Sequence, residues 1–108
     1  LSKLQKLKRK NKSNKKLCAE IDQLIEVIEN ASWTTPLEVK NDRPDADCVH
    51  ADGFYFFDIH IHRTMVLLEF TENEASIIWV GSHDNYETTF KNKKNVIEKW
   101  LRSRNYID

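Results

Sequence analysis

The chain contains the stretch IIWVGSHDNY at residues 77–86, where an apolar strand-like run leads directly into polar side chains. Four apolar residues precede Gly81, and a hydroxyl, an imidazole, a carboxylate and a phenol follow it within five residues. A buried strand holds the residues after it in place, and functional side chains are often found at such strand ends. The stretch therefore predicts a strand whose C-terminal end forms one edge of an active site.

Two runs upstream of this stretch have the composition of strands. Residues 54–59 (FYFFDI) and 64–70 (TMVLLEF) are rich in aromatic and aliphatic side chains, which favour a sheet. Asp52-Gly53 forms a turn signal before the first run. Residues 71–74 (TENE) separate the second run from the third, at 75–80, as in an antiparallel hairpin. The sequence therefore predicts an antiparallel sheet of three or more strands.

Helical patterns precede the sheet. Leucines at positions 1, 4 and 7 form one stripe, and a second helix presents a buried face of the spacing i, i+4, i+7, i+8 and i+11 (Leu17, Ile21, Leu24, Ile25 and Ile28). Ser13 or Asn14 can cap the second helix. Pro36 suits the first turn of a short helix capped by Thr34 or Thr35, and the polar residues 41–48 predict a loop.

These elements predict an α+β fold, in which an N-terminal helical pair packs on one face of the sheet and a C-terminal helix spans residues 93–104. A chain of 108 residues can bury one core, so we expect a single domain over residues 1–108. No apolar run approaches the ~20 residues of a membrane span. Cys18 and Cys48 lack a Cys-x-x-Cys spacing or a secretory leader, which predicts reduced thiols in a cytoplasmic protein.

The formal net charge of zero conceals a basic N-terminal arm, residues 1–16. This arm carries eight of the chain's 17 Lys and Arg residues and none of its 17 acids. Such an arm favours contact with a polyanion or with an acidic partner protein, and the alternative is a solvated helix face.

Four residues are candidates for catalysis. Arg63 offers a planar fork of donors suited to phosphate, and an ion pair with Asp58 or Glu69 is the structural alternative. His83 carries an imidazole, a side chain that can act as acid or base, or it can simply hydrogen-bond at a strand end. Tyr86, three residues after His83, would face the same side as His83 on a helical turn, or would pack with Phe90. Asp84 is a further proton-transfer group or a helix cap. Together they meet the needs of phosphodiester chemistry.

Other chemistries find less support in the sequence. Asp58-x-His60-x-His62 would place three zinc-type ligands on one strand face, with His83 or His50 as a further ligand, but no wider ligand motif accompanies them and we predict no metal. Surface or turn histidines are the alternative. With Gly53 and Gly81 as the chain's two glycines, no phosphate-binding glycine-rich loop is present. No cofactor is predicted.

The chain resembles the HigB-like toxins of bacterial type II toxin–antitoxin modules, in the RelE superfamily. The resemblance covers about residues 15–90, and its features occur in the family's order. Residues 78–86 are similar to the family's Val-Gly-Thr-His-x-x-Tyr ending. The other matching features are Trp33-Thr34-Thr35-Pro36, Val39-Lys40, Asp45-Ala46-Asp47, Tyr55 to Ile59, and Arg63 before an apolar strand. Two departures stand out. His60-Ile61-His62 replaces a turn that usually contains Gly-Asn, and a lysine-rich helical stretch replaces an N-terminal strand.

The resemblance implies a ribosome-associated endonuclease that cleaves messenger RNA by attack of the 2′-hydroxyl on the adjacent phosphate. By position, Arg63 would stabilise the developing charge, while His83, Tyr86 and Asp84 would transfer protons or orient the nucleotide. The residues expected to contact RNA are Lys40, Arg43, His60, His62, Lys91 and Lys93. The implied partners are mRNA, the ribosome and a helix-turn-helix antitoxin. DNA would be bound only indirectly, through the antitoxin, and no membrane partner is implied.

Two alternatives remain open at this level. A non-catalytic module would bind RNA or a protein through basic helices and aromatic residues (Phe54, Tyr55, Phe56 and Trp79). A degenerate toxin would bind its antitoxin but have lost its chemistry. Cleavage of ribosome-bound message separates these readings from the nuclease.

Overall fold

The computed structural model describes residues 2–108, so Leu1, where the predicted leucine stripe starts, lies outside the described residues. Within them the chain forms five helices and four strands: α1 (Ser2–Lys10), α2 (Lys15–Asn30), α3 (Pro36–Asp42), β1 (Asp47–His50), β2 (Phe54–Ile59), β3 (His62–Glu69), β4 (Glu74–Ser82), α4 (His83–Phe90) and α5 (Lys94–Ser103). The predicted α+β fold is confirmed.

Side-chain caps define where three of the helices begin. The Asn14 side chain accepts a hydrogen bond from the Leu17 amide at 3.1 Å and starts α2. Thr35 caps α3 in the same way, with Pro36 in the first turn. Ser82 accepts from the Asn85 amide at 3.1 Å, so α4 follows β4 with no intervening loop. The polar residues after the last strand therefore lie on a helix of eight residues rather than on a single turn.

The sheet is an antiparallel meander with strand order β1-β2-β3-β4. Its first strand was not predicted, and the loop expected at residues 41–48 is wrong at both ends. Residues 41 and 42 close α3, and residues 47 and 48 open β1. Since β1 is a four-residue edge strand whose first two side chains, Asp47 and Cys48, are exposed, it carries no apolar alternation that the sequence could reveal.

Helices cover both faces of the sheet. The α1–α2 face buries one apolar cluster, as the prediction of a helical pair on one face requires (Leu4, Leu17, Ile21, Leu24, Tyr55, Phe57, Ile59 and Val66). The α4–α5 face buries a second, more aromatic cluster (Phe54, Phe56, Met65, Tyr86, Phe90, Ile97 and Leu101). Burial of each such side chain contributes roughly 1.5–3 kcal/mol, so both helical layers hold the sheet in place.

The connection between β2 and β3 is a two-residue turn, His60-Ile61. It places Ile59 opposite His62 and Asp58 opposite Arg63. His60 adopts a φ of 57°, the left-handed conformation that glycine or asparagine would adopt more easily, and its amide donates to Glu20 Oε1 at 2.9 Å. The expectation that Asp58, His60 and His62 share one strand face is wrong, because the chain reverses between them.

Candidate functional site

Arg63 lies on the α4–α5 face of the sheet and is held from several sides. Its Nε donates to Asp58 Oδ1 at 3.0 Å. Its Cζ atom lies 5.0 Å from the centre of the Phe56 ring and 4.5 Å from that of Tyr86. The side chain is 13% exposed. The hydrogen bond to Asp58 uses Nε, so the terminal nitrogens are the donors that a further acceptor would use.

Gly81 lies opposite Arg63 on β4. A Cβ atom at position 81 would come within 2.6 Å of the Trp79 ring, so only glycine lets that ring lie along the strand end. The Trp79 ring in turn packs edge-on against Phe56 and Phe90, at centroid distances of 6.2 and 5.1 Å. The aromatic rings next to Arg63 are therefore closely packed against one another.

Tyr86 forms a wall of the same site. Its ring is buried and lies 5.0 Å from Phe56 and 5.8 Å from Phe90, so it offers no free face to a nucleotide base. Its hydroxyl donates to Asn92 Oδ1 at 2.9 Å. Burial raises the pKa of Tyr86, and the positive charge of Arg63 only partly opposes this. The phenol is thus protonated at neutral pH and can donate a proton but cannot act as a base.

His83 and Asp84 lie in the first turn of α4 with exposed side chains. The His83 amide donates to the Ile61 carbonyl at 3.0 Å, which ties the start of this helix to the β2–β3 turn. His83 and Tyr86 are three residues apart on the helix and are therefore neighbours on its surface. Of the four predicted catalytic residues, the structure brings Arg63 and Tyr86 into contact, whereas His83 and Asp84 are exposed in the first turn of the helix that carries Tyr86.

The predicted lysines have different surroundings. Lys91 and Lys93 are exposed and flank Asn92, the acceptor for the Tyr86 hydroxyl, so they border the site. Lys40 instead donates through Nζ to the Ala46 carbonyl at 2.9 Å and links α3 to the start of β1. Lys91 and Lys93 suit the predicted contact with RNA, whereas the contact made by Lys40 is structural.

Arg43 is engaged within the fold. Its Nε and Nη2 donate to the two carboxylate oxygens of Asp45, each at 2.8 Å, and Nη2 also donates to the Asp58 carbonyl at 3.0 Å. Burial alone would raise the pKa of Asp45, but hydrogen bonds from Arg43 and from the Asp58 amide outweigh it and hold that pKa below its ordinary value. With its donors so occupied, Arg43 does not suit the predicted role in binding RNA.

The two turn histidines are also poorly placed to bind phosphate. His62 points to the face opposite Arg63, and its Nδ1 is buried without a hydrogen-bond partner. Burial lowers the pKa of His62, and the nearby His60 and His83 lower it further, so its ring is neutral at pH 7. His60 Nδ1 lies 3.7 Å from a Glu20 carboxylate oxygen. Across residues 2–108 no group of three or more His, Cys, Asp or Glu side chains is arranged to hold a metal ion.

The aromatic residues through which the non-catalytic alternative would bind RNA are largely buried in the protein. Phe54, Tyr55 and Phe56 are each at most 3% exposed, so their rings cannot stack with bases. Trp79 is partly buried against Phe56 and Phe90.

Sequence reasoning missed Asn92 and did not assign Phe56 a role beside Arg63. It considered Asp58 as an ion-pair partner of Arg63 or a metal ligand, not as a residue that positions Arg63 for catalysis. A two-residue turn at His60-Ile61 would have placed Asp58 directly opposite Arg63, and Phe56 on the same face. No comparable signal identifies Asn92, because its contact with Tyr86 depends on the turn between α4 and α5.

Comparison with known families defines the class of protein to which this fold and site belong. Residues 18–89, from the first turns of α2 to the end of α4, match a family described as the RelE-like toxic component of a toxin–antitoxin system. The chain belongs to this family, the HigB toxins, and an antitoxin is the partner that membership implies. No individual curated protein matches the chain. None of the helices within residues 2–108 is long and apolar enough to cross a membrane.

Proposed function

We propose that this toxin is an endoribonuclease that cleaves messenger RNA on the ribosome and so arrests translation. The observation that supports the proposal is the Arg63 guanidinium, held by Asp58 through Nε and by the rings of Phe56 and Tyr86. A helix-turn-helix antitoxin would neutralise it.

In the proposed reaction the RNA 2′-oxygen bonds to the adjacent phosphorus and the bond from phosphorus to the 5′-oxygen breaks. Negative charge develops on the phosphoryl oxygens as this happens. Arg63 would stabilise that charge through its terminal nitrogens, because a guanidinium stays charged at any working pH and matches paired phosphate oxygens. The Asp58 carboxylate and the Phe56 ring fix its orientation before substrate arrives, which favours the transition state.

Two proton transfers complete the reaction. The exposed imidazole of His83 is suited to take the proton of the 2′-hydroxyl. Tyr86, which its raised pKa keeps protonated, would take the opposite role and give a proton to the leaving 5′-oxygen or to a phosphoryl oxygen. Asp84, exposed next to His83, is the alternative base. Lys91 and Lys93 would hold the phosphates on either side of the scissile one.

Induced expression followed by mapping of transcript 5′ ends tests this proposal. Wild-type protein should arrest growth and produce new 5′ ends within translated messages. Arg63→Ala and His83→Ala should each relieve the arrest and remove those ends while circular dichroism shows an unchanged fold. New ends that persist in both variants would disprove the assignment of the site, and their absence in the wild type would disprove the nuclease itself.

A further inference from the structure

Acidic and basic residues are unevenly distributed along the chain. Most acids lie in the family-matched segment, which we call the body, and most Lys and Arg residues lie before or after it. The family-matched residues 18–89 hold 15 of the 17 acids but three of the 17 Lys and Arg residues. All three are engaged: Lys40 with the Ala46 carbonyl, Arg43 with Asp45 and Arg63 with Asp58. Such a body repels a polyanion at long range, so the field that attracts RNA must come from outside the matched segment.

The N-terminal arm holds the densest set of such cations. Five of them surround the turn between α1 and α2 and form what we call the basic corner (Arg9, Lys10, Lys12, Lys15 and Lys16), and all five side chains are exposed. The salt bridge that the described part of the arm does form, between Lys8 and Asp22 at 2.7 Å, lies beside the corner and leaves its five cations unpaired with acids.

Part of the basic corner is electrostatically unfavourable for the helices that carry it, although Arg9 and Lys10 lie in the last turn of α1, where positive charge is favoured. Lys15 and Lys16 occupy the first turn of α2, which contains no acid, although the N-terminal end of a helix disfavours positive charge. In α1, Lys6 and Lys10 are four residues apart, a spacing at which like charges repel. A bound polyanion would relieve both unfavourable arrangements, which are otherwise unexplained by the fold.

The arm that carries these cations is fixed to the body. Leu4 is fully buried in the core on the α1–α2 face. The Cys18 thiol donates to the Asn11 carbonyl at 3.4 Å, and the Asn11 side chain donates to the Leu7 carbonyl at 2.9 Å. The corner is therefore a defined surface rather than a loose tail.

The basic corner also lies at the same end of the sheet as the catalytic candidates. It includes the first two residues of α2, and Glu20 in the second turn of that helix accepts a hydrogen bond from the His60 amide at 2.9 Å. His60 belongs to the turn that leads into Arg63, and His83 is tied to the same turn through Ile61. The corner belongs to the α1–α2 layer and Arg63 lies on the opposite face, so an RNA strand that contacts both would pass around this end of the sheet.

From these observations we infer that the basic corner is a second RNA-binding surface, outside the family-matched segment, which holds the phosphates of a single-stranded RNA. The inference rests on the proposed function for its choice of RNA, and it concerns binding alone. Lys12 and Lys16 are its central test residues.

Fluorescence anisotropy of the purified full chain with a short labelled 2′-O-methyl RNA tests this inference without cleavage, because the attacking hydroxyl is blocked. For Lys12→Gln/Lys16→Gln, the slope of log affinity against log salt should fall by about 1.4, since each phosphate contact on a single strand contributes about 0.7. Lys12→Arg/Lys16→Arg should keep the wild-type slope. Lys94→Gln/Lys99→Gln, which removes the same charge from α5, should keep it as well.

A wild-type slope in the glutamine variant of the corner would overturn the inference and favour an acidic protein as the ligand of the arm. An equal loss in the α5 variant would also overturn it, because it would indicate a general field and no defined surface. If the wild type binds this RNA with the expected slopes but leaves ordinary ribosome-bound message uncut, the corner stands and the proposed nuclease falls.

Discussion

Arg43 and Arg63 both contact Asp58, from opposite faces of the sheet, and they contact it in different ways. Arg43 lies over Phe57, donates to both oxygens of Asp45 and uses a terminal nitrogen on the Asp58 carbonyl. Arg63 lies over Phe56 and Tyr86 and donates through Nε to the Asp58 carboxylate. The first arginine donates to groups of the fold through both Nε and Nη2, whereas the second donates to Asp58 through Nε, although their side chains are similarly buried, at 17% and 13% exposed. We propose that this difference separates a structural cation from one available to a substrate.

The largest expected difference between the two arginines is in catalysis. Arg63→Lys keeps the charge but loses the planar fork, and it should lower the single-turnover rate of message cleavage by about 100-fold. Arg43→Lys should leave the rate of the folded protein essentially unchanged. Rates measured on purified ribosome complexes check both variants, and a matched loss in the two would contradict the division of roles.

For stability, the larger effect is expected for the Arg43 variant and the smaller one for the Arg63 variant. Arg43→Lys cannot satisfy both Asp45 oxygens and the Asp58 carbonyl, and it should lower the free energy of unfolding by about 1–2 kcal/mol. Arg63→Lys should lower it by less than about 1 kcal/mol, because Asp58 is 47% exposed and water can solvate its carboxylate. Urea unfolding at neutral pH measures both values, and a larger loss for the Arg63 variant would reverse the assignment.

The smallest effect is a pH dependence of stability that belongs to the Arg43 side. The pKa of Asp45 is lowered in the folded state, so its contribution is complete above the ordinary aspartate pKa of about 4 and is lost as pH falls through the folded value. Asp45→Asn should therefore be less stable than wild type at pH 7 and should lose less stability between about pH 6 and pH 3.

Urea unfolding across this range provides the check, with Glu72→Gln on the exposed β3–β4 turn as the matched control. The control should follow the wild-type curve. An Asp45→Asn curve parallel to that of the wild type would show that the Arg43–Asp45 pair does not depend on the carboxylate charge.

Much of the fold could be predicted because its signals are local. Helix periodicity, the Asn14 and Thr35 caps and the three long apolar runs all act over a few residues, and the structure confirms them. Strand β1 escaped prediction because its pairing with β2 is long-range and its exposed first residues carry no pattern.

The candidate site was harder to predict because the role of each side chain depends on the residues that it contacts in the folded protein. The sequence alone does not distinguish the roles of Arg43 and Arg63. The register of β2 against β3 is what places Asp58 opposite Arg63. The resemblance identified Arg63 and Tyr86 by position, but the burial of the Tyr86 ring and the neutral state of His62 depend on packing that spans the whole chain.

The most direct test of the account is an NMR titration that observes the Nε–Hε resonances of Arg43 and Arg63 separately. The ligand is a short RNA with a single 2′-deoxy substitution at the scissile position, which can bind but cannot be cut there. If Arg63 is the arginine that binds the scissile phosphate, its resonance should show a saturable shift while that of Arg43 stays in place. A shift of Arg43 alone, or an Arg63 signal that does not respond at saturating RNA, would contradict it.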